Sequence, residues 1–342
     1  MFLSLIFVAF LFAVIQGFVR VIIFFWEWLS GGDRLAQERV EQAEIALDHS
    51  EIVLERELAQ AEKRRGLSRL FARWQASNEA IDEYLDHLHF GWYQVIIIFF
   101  LGSMAGLLIE EVWMLATSGL TQSRPGLVWG PFSPLYGFGA VFLTILSFFL
   151  RRRNAKGWQV FLASAVIGGL LEQLAGWSMS TLFDAESWTY LHLPDHISQW
   201  VAWRFLVIWG LLGLVWCCAV TPRLLYQIGM PTTRRQAVFV TLVALYLAAD
   251  VTMTLVCFDR KTERDAGIPP ANAFEEWVDT NYSDEFIAGR FQNLKIGENR
   301  DKFDEHGNLL PKEWEKDPDE PSPDEKGEAE DPGSDEKSEA GE

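Results

Sequence analysis

Six long apolar segments constrain this chain more than any other feature of its sequence. They cover residues 2–29, 92–118, 134–150, 158–182, 199–220 and 236–258. A membrane-spanning helix needs roughly 20 apolar residues to cross the hydrocarbon layer, and most of these segments reach that length. The sequence therefore predicts an all-α, polytopic membrane protein with about six transmembrane helices, of which five form a membrane core over residues 92–258.

The first apolar segment is predicted to stay in the protein as an N-terminal anchor over residues 1–29. It begins MFLSLIFVAF, without the basic residues that open a secretory signal peptide, and no small-residue cleavage site follows. Cys217, Cys218 and Cys257 all lie inside apolar runs, which argues against a disulfide framework and against a cysteine metal site.

The excess negative charge is concentrated at the C-terminus. The chain carries a formal charge of -18, and residues 301–342 contain 17 acidic and 5 basic side chains, a net of -12. We expect residues 298–342 to form a disordered acidic tail, because so polar a segment cannot bury a core. Residues 259–297 hold enough aromatic side chains for a short helical extension outside the membrane.

Loop charges predict the orientation of the helices. Loops 151–156 and 221–235 are rich in arginine, whereas 119–133 has one basic residue and 184–198 has none. The positive-inside rule places the two basic loops and the 30–91 insert in the cytoplasm, with both termini outside. The opposite orientation is favoured by three basic residues directly after the last apolar segment: Arg260, Lys261 and Arg264.

The cytoplasmic insert begins with a strongly helical stretch, residues 33–65, that contains no glycine or proline. Val40, Leu47, Leu54 and Ala61 recur every seven residues, which is typical of a coiled-coil seam and would allow a homo-oligomer to form here. The alternative is a solvated helix that packs on its neighbour within the same chain.

A second amphipathic pattern follows in the insert. Leu67, Leu70, Phe71 and Trp74 are spaced as one face of a helix, with five basic residues around them. An apolar stripe with tryptophan and flanking base suits a helix that lies on an anionic membrane surface, so we expect membrane lipids as partners. The alternative is a helix docked on the protein itself.

Charged side chains inside membrane helices are costly and are therefore candidates for function. At about 1.5 Å per residue, Glu110, Glu172 and Asp250 fall in the outer half of the membrane, and Arg204 lies near the outer end of its segment. We predict that the three carboxylates bind a cation or relay protons, with Arg204 as counter-charge or anion clamp. The alternative is that Arg204 forms a structural pair with one carboxylate.

A loop rich in glycine and proline, residues 126–139, is predicted to close over the same polar pocket. Irregular backbone near membrane depth is tolerated only where protein or a water-filled cavity satisfies its polar groups. A lid or a re-entrant turn meets that condition. Its candidate binding residues are Gly130, Pro131, Pro134, Tyr136 and Gly137.

No cofactor, metal site or nucleic-acid partner is predicted. His192 and His196 could join an external divalent-ion site, but Pro194 interrupts any continuous helix between them. The acidic residues near this pair are Asp184, Glu186 and Asp195.

The chain also lacks a phosphate-binding loop and the motifs of zinc proteases and serine hydrolases, so it should not itself hydrolyse ATP. Internal repeats are not evident.

Several motifs of the core occur together in one known family. GLLIEEVW, GPFSPLYGFGA, LLEQLAGWSMSTLF, SWTY and RFLVIWGLLGL stand in the order seen in the bacterial family described as "putative ABC-transporter type IV". The resemblance covers about residues 92–294. The chain departs from the family pattern at Ser123–Gly126, where the family has Asn-Arg-Gly, and at Ser180, where it often has a second carboxylate.

The resemblance implies a permease of the bacterial plasma membrane that works with a separate nucleotide-binding ATPase subunit, with no known substrate and no assigned catalytic residues. Two other functions stay open. A membrane scaffold or sensor would bind partners through the 33–90 helices. A membrane enzyme acting on lipid or envelope precursors would use Glu110 or Glu172 as a general base, although a non-enzyme is favoured.

Overall fold

A computed structural model describes residue 20 and the ranges 24–119, 122–183 and 185–296 of the chain. Most of the predicted anchor, 1–29, and all of the predicted disordered tail, 298–342, lie outside these residues. Residues 24–30 are helical and lead into the insert.

The described chain is helical with two short strands. The helices are α1 Gln37–Ala61, α2 Leu67–His87, α3 Trp92–Ser118, α4 Pro134–Arg152, α5 Gly157–Phe183, α6 Trp203–Val215, α7 Thr221–Ile228, α8 Arg234–Asp265, α9 Ala273–Asn281 and α10 Asp284–Arg290. A π-helical turn, Trp216–Val220, joins α6 to α7. Strand β1, Ala185–Glu186, pairs antiparallel with β2, Lys295–Ile296.

Five helical stretches in the described ranges are long and apolar enough to cross a membrane. They are Trp92–Ala116, Pro134–Arg152, Gly157–Leu182, Trp203–Ile228 and Arg234–Asp265. Each coincides with one of the predicted segments, which confirms an all-α membrane protein. The sixth predicted span, 2–29, falls mostly in the part of the chain that is not described.

The insert forms a helical hairpin. α1 packs on α2 through small residues, including Ala43, Ala46 and Ser50, which allow the two helices to approach closely. Leu47, a predicted seam position, is 40% exposed. Val40 and Ala61, two other seam positions, are buried, so the heptad pattern matches the buried face only in part. The helix packs on its neighbour within the chain. Self-association through 33–65 stays a prediction.

The loops fall into two groups, as their charges predicted. The insert contacts the basic loops: Arg151 binds Asp82 and Asp86 of α2 at 2.5 and 3.1 Å, and the Leu35 amide donates to the Thr232 carbonyl at 2.9 Å. At the opposite ends of the membrane helices, the Ser123 amide donates to the Gln292 side chain at 2.9 Å. Which of the two faces is cytoplasmic remains a prediction.

The C-terminal extension is fixed to the end of α8 by ion pairs. Arg260 is buried and binds Asp279 at 2.6 Å, and Arg264 binds Asp279 at 2.6 Å and Asp284 at 2.7 Å. Hydrogen bonds from Arg260 and Arg264 hold the pKa of the Asp279 carboxyl below its usual range. The ion pairs thus hold the extension against the end of α8.

Candidate functional site

The first predicted carboxylate, Glu110, lies in a polar contact near the end of α3. Arg124, from the loop before α4, donates to Glu110 at 2.8 Å, and both side chains are mostly buried. Tyr136, in the first turn of α4, lies within electrostatic range of Glu110. Glu110 is therefore held by one charged donor, with a tyrosine nearby.

The second carboxylate, Glu172, has a different environment. It is 7% exposed on α5, and its Oε1 accepts a hydrogen bond of 3.0 Å from the indole nitrogen of Trp209 on α6. Its Oε2 is buried and has no hydrogen-bond partner among the described residues. A buried acceptor without a partner is costly. Asp250 Oδ2 on α8 is in the same state among the described residues.

Both glutamates are built on the same local arrangement. Gly106 precedes Glu110 by one helical turn, and a Cβ on Gly106 would lie 2.3 Å from the side chain of Tyr136. Gly168 precedes Glu172 by one turn, and a Cβ there would lie 2.1 Å from Trp209. In each hairpin the glycine creates a notch, and the aromatic side chain of the next helix fills it and reaches the glutamate one turn further on.

Short stretches of α3 and α5 are similar in sequence, a similarity that the sequence-based prediction missed. α3 begins within the sequence GWYQV and later contains GLLIEE, whereas α5 begins with GWQV and later contains GLLEQ. The similarity is limited to these short stretches. It is hard to detect because the spacing between them differs and the aromatic partner changes from tyrosine to tryptophan.

Tyr190 links the two glutamates from the loop before α6. It lies within electrostatic range of Glu172, Glu110 and Arg124. Burial, followed by the negative charge of the two glutamates, raises the pKa of Tyr190 well above its usual value. Its ring stacks on Phe205 with centroids 4.5 Å apart, which fixes the position of a hydroxyl that stays protonated.

Asp250, predicted to share this pocket, instead holds the Gly/Pro loop. Its Oδ1 accepts the Trp129 amide at 2.8 Å, and Thr254 accepts the Val128 amide at 2.9 Å. On the other side of the loop, Arg290 of α10 donates to the Leu127 carbonyl at 3.0 Å. Side chains thus satisfy the backbone polar groups that would otherwise be unpaired at this depth.

The loop is shorter than predicted, because helix α4 already begins at Pro134. Proline suits the first helical position, since its missing amide would have no helical partner there. Gly130 and Pro131 lie in the loop, whereas Tyr136 and Gly137 lie in α4. Gly130 adopts a φ of 68°, which favours glycine.

The loop turns back inside the helix bundle. The Ser133 amide donates to the carbonyl of Ser103, near the middle of α3, at 3.3 Å. Asp250, which binds the loop on its other side, likewise lies near the middle of α8. The loop thus packs beside the middle of α3 and of α8, and its course as a re-entrant turn in the membrane stays a prediction.

Arg204 is not the counter-charge of the three predicted carboxylates. It binds Asp195 at 2.6 Å, and about half of its side chain is exposed. Hydrogen bonds from Arg204 hold the pKa of the Asp195 carboxyl below its usual range. The expectation was wrong because depth along a helix does not show that the 185–202 loop folds back to supply a nearer carboxylate.

The candidate external ion site is not assembled in the described chain. His196 contacts the carbonyl of Leu193 at 2.7 Å, Asp195 binds Arg204, and Glu186 accepts a hydrogen bond from Gln199 at 2.6 Å. Asp184 lies outside the described residues.

Two cavities of about 520 Å³ each lie away from the paired glutamates. One is at the face of the basic loops, between Asp82, Arg151 and Cys217, and the other lies between Trp129 and Trp277. Neither is lined by Glu110 or Glu172.

Comparison with known proteins supports the resemblance seen in the motifs. Residues 97–255 match the family model described as "Putative ABC-transporter type IV". This range contains both hairpins, the re-entrant loop and Asp250, whereas the α1–α2 hairpin and the C-terminal extension lie outside it. No curated protein and no solved structure matches the chain.

Proposed function

We propose that this chain is the membrane-spanning, permease-type subunit of a transport system, and that Glu172 binds a cation on the transport path. The family match and the five membrane-length helices support a transport subunit. Because the sequence has no phosphate-binding loop, a separate nucleotide-binding ATPase would supply the energy. The proposed location is the bacterial plasma membrane.

The observation that carries the cation site is the state of the Glu172 carboxylate. One oxygen binds Trp209, and the other is buried with no partner in the described ranges. A carboxylate in a membrane interior is strongly destabilised unless a proton or a positive group compensates it. The neighbouring Glu110 is already paired with Arg124, whereas Glu172 has no positively charged partner among the described residues. A cation would therefore bind at Glu172.

The hydroxyls around Glu172 suit the same role. Tyr136 and Tyr190 lie within electrostatic range of both glutamates. Their oxygen atoms can complete a ligand shell around a small cation, or accept hydrogen bonds from an organic ammonium group. Glu110 is a poor general base because Arg124 binds it, which weakens the enzyme alternative.

We also propose that α2 rests on the membrane surface through its first two turns. Leu67, Leu70, Phe71 and Trp74 are 84, 64, 58 and 54% exposed, so this stripe is not docked on the described part of the protein. A lipid interface would bury the apolar stripe and bring Arg69 and Arg73 to anionic headgroups.

Affinity purification from native membranes tests the transport proposal. Recovery of a stoichiometric protein that carries a phosphate-binding loop supports it, with loops 151–156 and 221–235 as the expected docking face. Glu172→Gln should retain that partner and lose transport, because it removes a charge and keeps an acceptor for Trp209. Recovery of the chain alone, or with envelope enzymes, would contradict the proposal and favour the scaffold or enzyme function.

A further inference from the structure

Three potential metal ligands converge on the outside of the α1–α2 hairpin. Glu83 and His87 lie four residues apart on one face of α2, and His49 faces them from α1. Their ligand atoms all lie within 4.8 Å of one another. This is the one group of three such side chains found within the described residues.

The distances fit shared coordination better than hydrogen bonding. The Nδ1 atoms of His49 and His87 lie 3.7 and 3.6 Å from the same oxygen of Glu83, Oε1. Hydrogen bonds of this type are about 2.7–3.2 Å long. Two ligands of a tetrahedral zinc ion, with bonds of about 2.0–2.2 Å, are separated by about 3.4 Å. The ligand atoms thus already lie near the spacing that one bound ion requires.

The two imidazoles lie face to face. Their rings stack with centroids 4.4 Å apart and an angle of 19° between their planes. Because a metal is bound through the in-plane lone pair of a neutral imidazole, one ring must rotate before both Nδ1 atoms can bind the same ion. His87 Nδ1 also lies 3.1 Å from the Glu83 carbonyl, so metal binding would replace that contact and leave the proton on Nε2.

We propose that His49, Glu83 and His87 form a binding site for a divalent transition-metal ion, with zinc the best match to two imidazoles and one carboxylate. Side-chain exposures of 51, 34 and 36% leave the remaining coordination positions open to water. Hard cations such as magnesium prefer oxygen ligands and should bind poorly.

The site is placed to affect how the hairpin attaches to the membrane core. Asp82 and Asp86, which bind Arg151 at the end of α4, immediately precede Glu83 and His87 on α2. A metal that joins α1 to α2 would restrict rotation of α2 and stabilise the turn that holds Arg151. The bound ion would therefore strengthen the attachment of the insert.

Zinc titration of the full-length protein tests the site. The chain is purified in detergent through a tag without histidine, treated with a chelator, and titrated with zinc chloride by calorimetry. We expect one zinc ion per chain. Loss of a single outer-shell group costs roughly 10–100-fold in affinity, so His49→Ala and His87→Ala should each weaken binding by more than about 100-fold.

His192→Ala is the matched control, because His192 is exposed and lies in the 185–202 loop rather than on α1 or α2. It should leave zinc affinity unchanged. Circular dichroism checks that the His49 and His87 variants keep their helices, and hydrogen exchange of α1 and α2 should slow on zinc addition only in the wild type and the control. Absence of binding in the wild type, or unchanged affinity in folded His49→Ala and His87→Ala, would overturn the proposal.

Discussion

Trp209 donates its indole N–H to Glu172 at 3.0 Å from a notch that Gly168 leaves one turn earlier on α5. The same construction places Tyr136 over Gly106 and against Glu110 in the preceding hairpin. Each of these two glutamates thus lies near an aromatic side chain whose position depends on a glycine, and Trp209 donates a hydrogen bond to Glu172. The two glutamates differ in their charge balance, since only Glu110 has an arginine partner among the described residues.

Gly168→Ala and Gly106→Ala should both destabilise the protein. The added Cβ would lie 2.1 Å from Trp209 or 2.3 Å from Tyr136, so the aromatic ring must move. Overpacking of this kind costs about 1–3 kcal/mol, measured by thermal unfolding in detergent. Gly289→Ala in α10 is the control, because nothing lies within 4 Å of its added Cβ, and it should be neutral or slightly stabilising. Equal losses of stability at all three positions would contradict the claim that aromatic rings fill the notches at Gly106 and Gly168.

Arg124→Gln should cost about 1–3 kcal/mol, because it leaves the partly buried Glu110 carboxylate without its charged partner. The double variant Arg124→Gln, Glu110→Gln should recover part of that loss, since it also removes the unpaired charge. Arg204→Gln is the control, and its half-exposed pair with Asp195 predicts a smaller fall in melting temperature. A larger effect at Arg204 would show that the pairs are assigned wrongly.

Arg290→Met should loosen the re-entrant loop without unfolding the bundle. Arg290 donates to the carbonyls of Leu127 and Gly130, and hydrogen bonds from charged groups contribute about 1.5–3 kcal/mol. Hydrogen exchange at residues 126–133 should therefore become faster by roughly tenfold or more. Arg69→Met on α2, far along the chain from the loop, should leave that exchange unchanged. Unaltered loop exchange in Arg290→Met would contradict its anchoring role.

Hydropathy alone predicted the five described spans, because helix length and apolar content are fixed by the membrane. The loop charges also grouped the loops that contact one another, as the contacts of Arg151 with Asp82 and Asp86 show. The ion-pair partners of the membrane glutamates were harder to predict. Arg124 was assigned to a polar loop, and only the re-entrant course of that loop brings it to Glu110.

The other groups of contacting side chains could not be predicted from the sequence. Asp250 has the depth of Glu110 along its helix, but the helix presents it to the loop rather than to the other carboxylates. His49 lies far from Glu83 and His87 in the sequence, and only the antiparallel packing of α1 on α2 brings the three together. Residue counting and periodicity predict how far along a helix a side chain lies. Which residues it contacts depends on the rotation of the helix about its axis and on how the loops fold.

Single-cysteine labelling tests the predicted orientation. In a background without Cys217, Cys218 and Cys257, cysteine is introduced at Asn154 or at His192, two exposed loop positions at opposite ends of the bundle. A membrane-impermeant thiol reagent applied to intact cells should label the cysteine at position 192 and leave position 154 unlabelled until the cells are lysed. The reverse pattern would place the insert outside.

Cation-dependent stability tests the role of Glu172 most directly. The melting temperature of the purified chain is measured with sodium, potassium and small organic ammonium ions at constant ionic strength. A cation at about 100 times its dissociation constant stabilises the folded state by about 2.7 kcal/mol. At least one cation should raise the melting temperature of the wild type and of Arg204→Gln, and have no such effect on Glu172→Gln. Equal responses of the wild type and Glu172→Gln to every cation would contradict a cation site at Glu172.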